Sequence, residues 1–284
     1  MTDKDKIRWF FNIILLIIVT GCSNHEEIQV EKTEKWSFVV FSDLQTGYGI
    51  YAQLTENISK ISPVPNAAFC CGDLMLRGAN EAEWVAFKNC TEPITDTMPL
   101  YVARGNHEGN NELSDEILKK HLYFPMERFY YSLRKNHCFF IILDTQEKDE
   151  DRAILGKQRN WLFSQLDSAD ADTSVLHIFL FMHQPLYPQG NHKGNNLYNA
   201  EELHSCLLNH DKIRAVFSGH DHLFNKFVKD QMVYITTGGG GGDLNHGYGG
   251  DYHHFTKVSF YSDHFRINIK TIGIFNEVIE DFDL

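Results

Sequence analysis

The sequence predicts an α/β protein in which two sheets pack face to face with helices outside. From Trp36 onward, short runs rich in Val, Ile, Phe and Leu alternate with stretches of helical periodicity. Five of these runs, Phe38–Phe41, Ala67–Cys71, Leu100–Ala103, Val175–Phe181 and Ala215–Ser218, lead at once into a loop carrying Asp, Asn or His. Phe129–Asp144 and the chain after Thr237 read instead as antiparallel strands. Strict alternation builds a sheet covered by helices, and the added hairpins extend it into mixed sheets. The carboxyl ends of such strands converge on one crevice, so ligands far apart in sequence can meet there.

Taken in order, Lys4, Lys6 and Arg8 precede the apolar run Trp9–Val19, broken only by Asn12. That run falls short of the ~20 residues a spanning helix needs, and residues 1–21 read as a secretory signal peptide. Val19-Thr20-Gly21-Cys22 resembles the bacterial lipobox, which implies cleavage before Cys22 and lipidation of its thiol. Ordinary cleavage or an uncleaved anchor are the alternatives. The expectation is a lipoprotein of the bacterial cell envelope, extracytoplasmic and anchored to membrane through Cys22. Residues 22–35 would be its polar tether and residues 36–284 a single domain.

Within that domain Tyr51–Ile61, Glu81–Lys88, Glu112–His121, Gln158–Leu166 and Ala200–Asn209 have helical spacing, with Ser114 as a cap of the third. The hairpin Phe129–Asp144 turns at Arg134–His137. Phe255–Tyr261 and Phe265–Ile272 read as late strands, and Glu280–Asp283 as a charged end with no inferred role.

A length of 284 residues suffices for a large core without a staple, and a net charge of −12 excludes a general nucleic-acid binder. Cys70, Cys71, Cys90, Cys138 and Cys206 show no CxxC spacing, and the adjacent pair reads as small buried thiols.

The loops read Asp43-Leu44-Gln45, Gly72-Asp73, Gly105-Asn106-His107-Glu108, Met182-His183-Gln184-Pro185 and Gly219-His220-Asp221-His222. Two adjacent divalent ions need a bridging carboxylate, and Asp73 behind Gly72 fits that role. Asp43 is a second hard anion, while Asn106, His183, His220 and His222 are neutral, leaving net positive charge for an anionic substrate. His107 is placed to donate a proton without binding metal. Glu108 or Asp221 either orients an imidazole or is a solvated loop carboxylate.

In this order the motifs resemble the calcineurin-like metallophosphoesterases, which include the purple acid phosphatases, across residues 38–225. The resemblance implies a four-layer α-β-β-α sandwich and a phosphoester hydrolase using a metal-bound hydroxide. Asp43, Asp73 and His222 would hold one ion, with Asp73, Asn106, His183 and His220 holding the other. Asn106 and His107 would also meet substrate, a phosphorylated small molecule or phosphoester. Gln45 stands where the family's first motif has His, which favours Mn²⁺ or Mg²⁺ over Zn²⁺ at that ion, and Gln45 is either a weak ligand or a non-ligating polar group; the pair is expected to be Mn, Fe or Zn, with Mn or Fe favoured. Leu76 stands where purple acid phosphatases carry Tyr, so no purple Fe(III) band is expected. Nucleotide pyrophosphatase or phosphodiesterase action, on an ADP-ribose-like or cyclic nucleotide, is one alternative. A binding module with an impaired metal site is another.

Outside the motifs, Arg77 reads as a surface residue, and His192 and Lys193 lie in a polar loop, Pro188–Asn196, that could meet substrate. Gly238–Gly242 would let backbone amides approach a phosphate or form a flexible turn. His253 and His254 read as solvated.

Overall fold

The computed structural model describes residues 33–124, 128–148, 150, 152–261 and 266–284. The expected signal peptide, the expected lipidation site Cys22 and the expected tether up to Lys32 lie outside the described residues.

Strands β1 (Glu34–Phe41), β2 (Ala68–Cys70) and β3 (Leu100–Val102) alternate with helices α1 (Tyr48–Ser59), α2 (Glu81–Thr95) and α3 (Glu112–His121). The hairpin β4 (Tyr131–Lys135) and β5 (Cys138–Ile142) follows, then α4 (Gly156–Ala171), β6 (His177–Phe181), α5 (Ala200–Leu207) and β7 (Ile213–Ser218). The chain ends with β8 (Phe224–Lys229), β9 (Met232–Thr237), β10 (His254–Tyr261), β11 (Ile267–Gly273) and β12 (Val278–Asp283). They form two six-stranded mixed sheets, ordered β12-β11-β10-β1-β2-β3 and β4-β5-β6-β7-β9-β8.

Side-chain parity builds the layers. Phe38 and Val40 of β1, Phe69 of β2, Phe140 of β5, Phe179 and Phe181 of β6 and Phe217 of β7 point between the sheets. Val39 and Phe41 point outward instead, against Leu54 and Ile58 of α1 and Trp84 and Phe87 of α2. Ile178 and Leu180 likewise meet Leu162 and Leu166 of α4 and Leu203 of α5. Phe38 is the hub of the middle layer, with ring centroids 5.3 Å from Phe69 and Phe179 and 5.4 Å from Phe140. Each such ring contributes roughly 1.5–3 kcal/mol through burial, and the edge-on pairs add to it. The architecture is the α-β-β-α sandwich.

Several boundaries differ from those read in sequence. Helix α2 runs past Lys88 because Thr91 and Ile94 extend the buried stripe of Trp84 and Phe87 through Pro93. The cap of α3 is Asn111; Ser114 is its reciprocal partner, its hydroxyl accepting the Asn111 N–H. The acidic tail is β12, an edge strand paired with β11, whose Asp281 faces Lys270 at 3.3 Å. An edge strand with one solvated side gives little hydrophobic signal.

Strands β1, β2 and β3 are parallel neighbours in one sheet, as are β6 and β7 in the other. The five motif loops leave the carboxyl ends of these strands. Among the described residues no helix is long and apolar enough to cross a membrane.

Candidate metal centre

Asp43, Gln45, Asp73 and His220 all have positive φ, at 62°, 42°, 54° and 70°. The left-handed region is costly for residues with a Cβ and concentrates where a backbone is held for function. Here it turns each chain sharply at its strand end and aims the side chain into one cleft. The approach is close: a Cβ on Gly105 would lie 2.2 Å from Asp73 Oδ1, and one on Gly219 2.4 Å from Asp43 Oδ2.

The histidines have their tautomers set by backbone carbonyls. His183 Nδ1–H donates to Cys71 O at 2.8 Å, His222 Nδ1–H to Asp243 O at 2.6 Å and His107 Nδ1–H to Leu76 O at 2.8 Å. A carbonyl cannot donate, so each ring presents an Nε2 lone pair inward when neutral. Burial lowers the pKa of His183 and His222, and pushes His220 down to about 2, so lone pairs are available at neutral pH.

What these lone pairs face is more acceptors. His183 Nε2 lies 2.9 Å from Asn106 Oδ1 and 3.4 Å from Asp73 Oδ1, with His220 Nδ1 at 3.2 Å. The other nitrogen of His220, Nε2, is buried without a hydrogen-bond partner among the described residues. In the second half of the cleft, ligand atoms of Asp43, Asp73 and His222 all lie within 4.8 Å of one another. The Gln45 amide nitrogen sits between Asp73 Oδ2 at 3.4 Å and His222 Nε2 at 3.2 Å, donating where a cation would satisfy both. Burial, and then the nearby Asp73 charge, raises the pKa of Asp43 well above the usual carboxylate range. Converging acceptors and a buried carboxylate pair are the donor set that divalent cations complete.

The supporting contacts correct two expectations. Glu108 orients no imidazole: its buried carboxylate accepts backbone N–H groups from Asp73 at 3.0 Å, Leu74 at 2.6 Å and Gly105 at 2.7 Å. Burial and then Asp73 push its pKa up to about 8, against the pull of those three amides. Three amides of the glycine run are already spent, because Gly238, Gly240 and Gly242 N–H donate to Leu223 O, Ser42 O and Asp43 O at 3.0, 2.9 and 2.8 Å. It is a strap that buttresses the Asp43 loop. Asp221 is buried and accepts from the N–H groups of Gln189, Gly190 and His192.

A cleft of about 390 Å³ opens over these atoms, lined by Gln45, Asp73, Asn106, His107, His220 and His222 on its floor and by His192 and Asn245 on its wall. His192 Nδ1 lies 3.2 Å from Asp221 Oδ1, and its ring stacks on His220 at 4.3 Å. His192 thus belongs to the cleft, whereas Lys193 from the same loop lines a separate cavity of about 530 Å³ beside Tyr187 and Phe227. Arg77 is exposed outside the cleft, and His254 is fully buried beneath Gly239 rather than solvated. Of the loop Pro188–Asn196 that the sequence offers to substrate, His192 reaches the cleft and Lys193 does not, while Asp243 and Asn245 escaped sequence reading as site residues.

Residues 37–224 match the family model for calcineurin-like phosphoesterases. Purple acid phosphatases 22 and 23 of Arabidopsis thaliana are each 26% identical to this chain, over 60% and 61% of its length. The chain spans 43% and 41% of those relatives. Among solved structures, a purple acid phosphatase from yellow lupin superimposes with a TM-score of 0.73 at 17% identity, covering 88% of this chain and 54% of that one. A dimetal phosphatase from Danio rerio gives 0.64 at 15% identity, covering 88% and 99%. GAP50, the anchor in the inner membrane complex of Plasmodium, gives 0.66 at 19% identity, covering 89% of each. By its sequence match and its sandwich of two mixed sheets, the chain belongs to the calcineurin-like phosphoesterase family.

Proposed function

We propose that this chain hydrolyses phosphoesters with two divalent cations held between its sheets. The observation that carries the reading is the convergence of acceptor atoms from both sheets with too few protons to share among them. Asp43, Asp73 and His222 would hold one cation, with Gln45 beside it; Asp73, Asn106, His183 and His220 would hold the other. When bound, such a pair supplies Lewis acidity at phosphoryl oxygens and lowers the pKa of water.

The chain's own residues supply the rest. His107 has Nδ1 committed to Leu76 O, so its Nε2 points into the cleft, 3.9 Å from Asp73 Oδ2. In its imidazolium form, with Nδ1–H still on Leu76 O, it can pass the Nε2 proton to a leaving oxygen and revert to the neutral ring, a role worth ~10²–10⁴-fold in rate. The His107 backbone N–H holds Asp73 Oδ1 at 3.0 Å, keeping the carboxylate in place while the imidazole works. Asn106 and His192 flank the space a phosphoryl group would enter and offer it polar contacts. Manganese or iron suits the mix of carboxylate, amide and imidazole, and the amide of Gln45 in place of an imidazole weakens the case for zinc.

A phosphomonoester is the substrate this reading favours, since the curated relatives are phosphatases. Diester or nucleotide pyrophosphate cleavage is the second reading, supported by a cleft of about 390 Å³, which has room beyond a phosphoryl group. Turnover of p-nitrophenyl phosphate, its bis ester and ADP-ribose at saturating Mn²⁺ separates them. Release from the monoester alone selects a phosphatase, and release from either of the others selects the second reading. No turnover of any, with Mn²⁺ bound, would leave a binding module. The lipobox-like Val19–Cys22 supports a membrane-anchored lipoprotein outside the cytoplasm; [³H]palmitate labelling lost in Cys22→Ser tests it.

A further inference from the structure

Arg104 stands directly before the Gly105–Glu108 loop, and nothing in the chemistry above uses it. Its guanidinium is 2% exposed. Nε and Nη2 fork onto Asp144 at 3.1 and 2.5 Å, Nη1 reaches Asp115 at 2.7 Å, and Nη2 also donates to Gln146 O at 2.6 Å. Asp115 belongs to α3, on the side of the first sheet, whereas Asp144 and Gln146 follow β5 of the second. The fork therefore crosses from one sheet to the other behind the cleft. The contacts continue: Gln146 Nε2 donates to Gln184 Oε1 at 2.9 Å, and Gln184 is the residue after His183. Gln158 pins Asp144 in turn, accepting its N–H and donating to its carbonyl, both at 2.8 Å.

A buried ion pair is a poor device for stability, because apolar residues of similar volume serve as well or better. Its distinctive property is fixed geometry, which Arg supplies through its planar fork and Lys cannot. We propose that Arg104 is a positioning residue that sets the gap between the Asn106 loop and the His183 loop, and so tunes cation affinity at that half of the centre more than at the other, with which it shares Asp73. The Asp43–His222 half is held by other contacts: His220 N–H on the Asp43 carboxylate, His222 on Asp243 O, and the glycine strap on Ser42 and Asp43. None of these runs through Arg104. The inference rests on the two-cation reading above.

Calorimetric titration of the purified chain with Mn²⁺, followed by electron paramagnetic resonance, tests it in the wild type, Arg104→Lys and Gln184→Met. The wild type should bind two Mn²⁺. Arg104→Lys should weaken one site by ~10–100-fold, the range for outer contacts to metal ligands, and the other, which shares Asp73, by clearly less. Gln184→Met cuts the chain of contacts without touching the buried charge, and should weaken the same site by less. It decides the matter if Arg104→Lys does not fold. Equal weakening of both sites in step with thermal stability would reduce Arg104 to a structural role and overturn the inference. Unchanged affinities would overturn it as well. A wild type that binds no Mn²⁺ would overturn both this inference and the reading beneath it.

Discussion

The first sheet brings oxygen to the cleft, from Asp43, Asp73 and Asn106, while the second brings nitrogen, from His183, His220 and His222. Their surroundings are complementary. Around the carboxylates the backbone offers N–H groups: His220 to Asp43, His107 to Asp73, and three amides to Glu108. Around His183 and His222 it offers carbonyls, Cys71 O and Asp243 O. An anion is thus steadied by donors, and a neutral base is fixed in one tautomer by an acceptor. Two of these contacts, His183 to Cys71 and His220 to Asp43, pass between the sheets. Each side thereby helps to shape the other, and Asp73 lies where they meet.

Breaking that meeting point should have the largest effect. Asp73→Asn should abolish metal uptake and turnover together, exceeding the loss from any proton donor; metal content and kcat measured on one preparation check it. His107→Ala takes away a group with no place among the ligands. Its rate should fall by ~10²–10⁴-fold with metal content intact, and an undiminished rate would refute the proton-donor role.

A third prediction concerns the floor of the first sheet. His254 is fully buried, with Nδ1 2.9 Å from Tyr252 O and Nε2 3.1 Å from Thr237 Oγ1, and burial holds its pKa at about 4 against 6.5. Between those values the unfolded chain binds a proton that the folded one excludes. Stability is therefore lost as pH falls from 6.5 toward 4, by about 3 kcal/mol at the lower end. Urea denaturation of metal-free wild type and His254→Gln at pH 7 and pH 4.5 should show a smaller loss in the variant. Equal losses would exclude His254 as the source.

The smallest effect should come from making the first sheet resemble the second. Gln45→His places an imidazole beside Asp43 and His222 and should raise the Zn²⁺ over Mn²⁺ preference by about tenfold, near the lower end of changes around a metal ligand. Competition binding with the two ions reads this directly.

The layers and the gathering of the motif loops were legible because each rests on local pattern. Phe38 and Val40 against Val39 and Phe41 encode two faces of β1, and Asp43 follows that strand by two residues. What was not legible depends on partners distant in sequence. The carbonyls of Cys71 and Asp243 carry no side-chain signal, so their hold on His183 and His222 cannot be read from residue types. Gly238–Gly242 read equally as an approach to phosphate or as a flexible turn, yet Gly240 and Gly242 spend their N–H groups on the Asp43 loop. His254 looked solvated from its polarity, but Thr237 and Tyr252 satisfy it in the interior. The charged β12 is a strand only because β11 lies beside it.

Anomalous diffraction from crystals soaked in Mn²⁺ tests the central claim most directly. Two peaks should be seen in the cleft, one among Asp43, Asp73 and His222 and one among Asp73, Asn106, His183 and His220. A single peak, or none at saturating Mn²⁺, would contradict a two-cation centre.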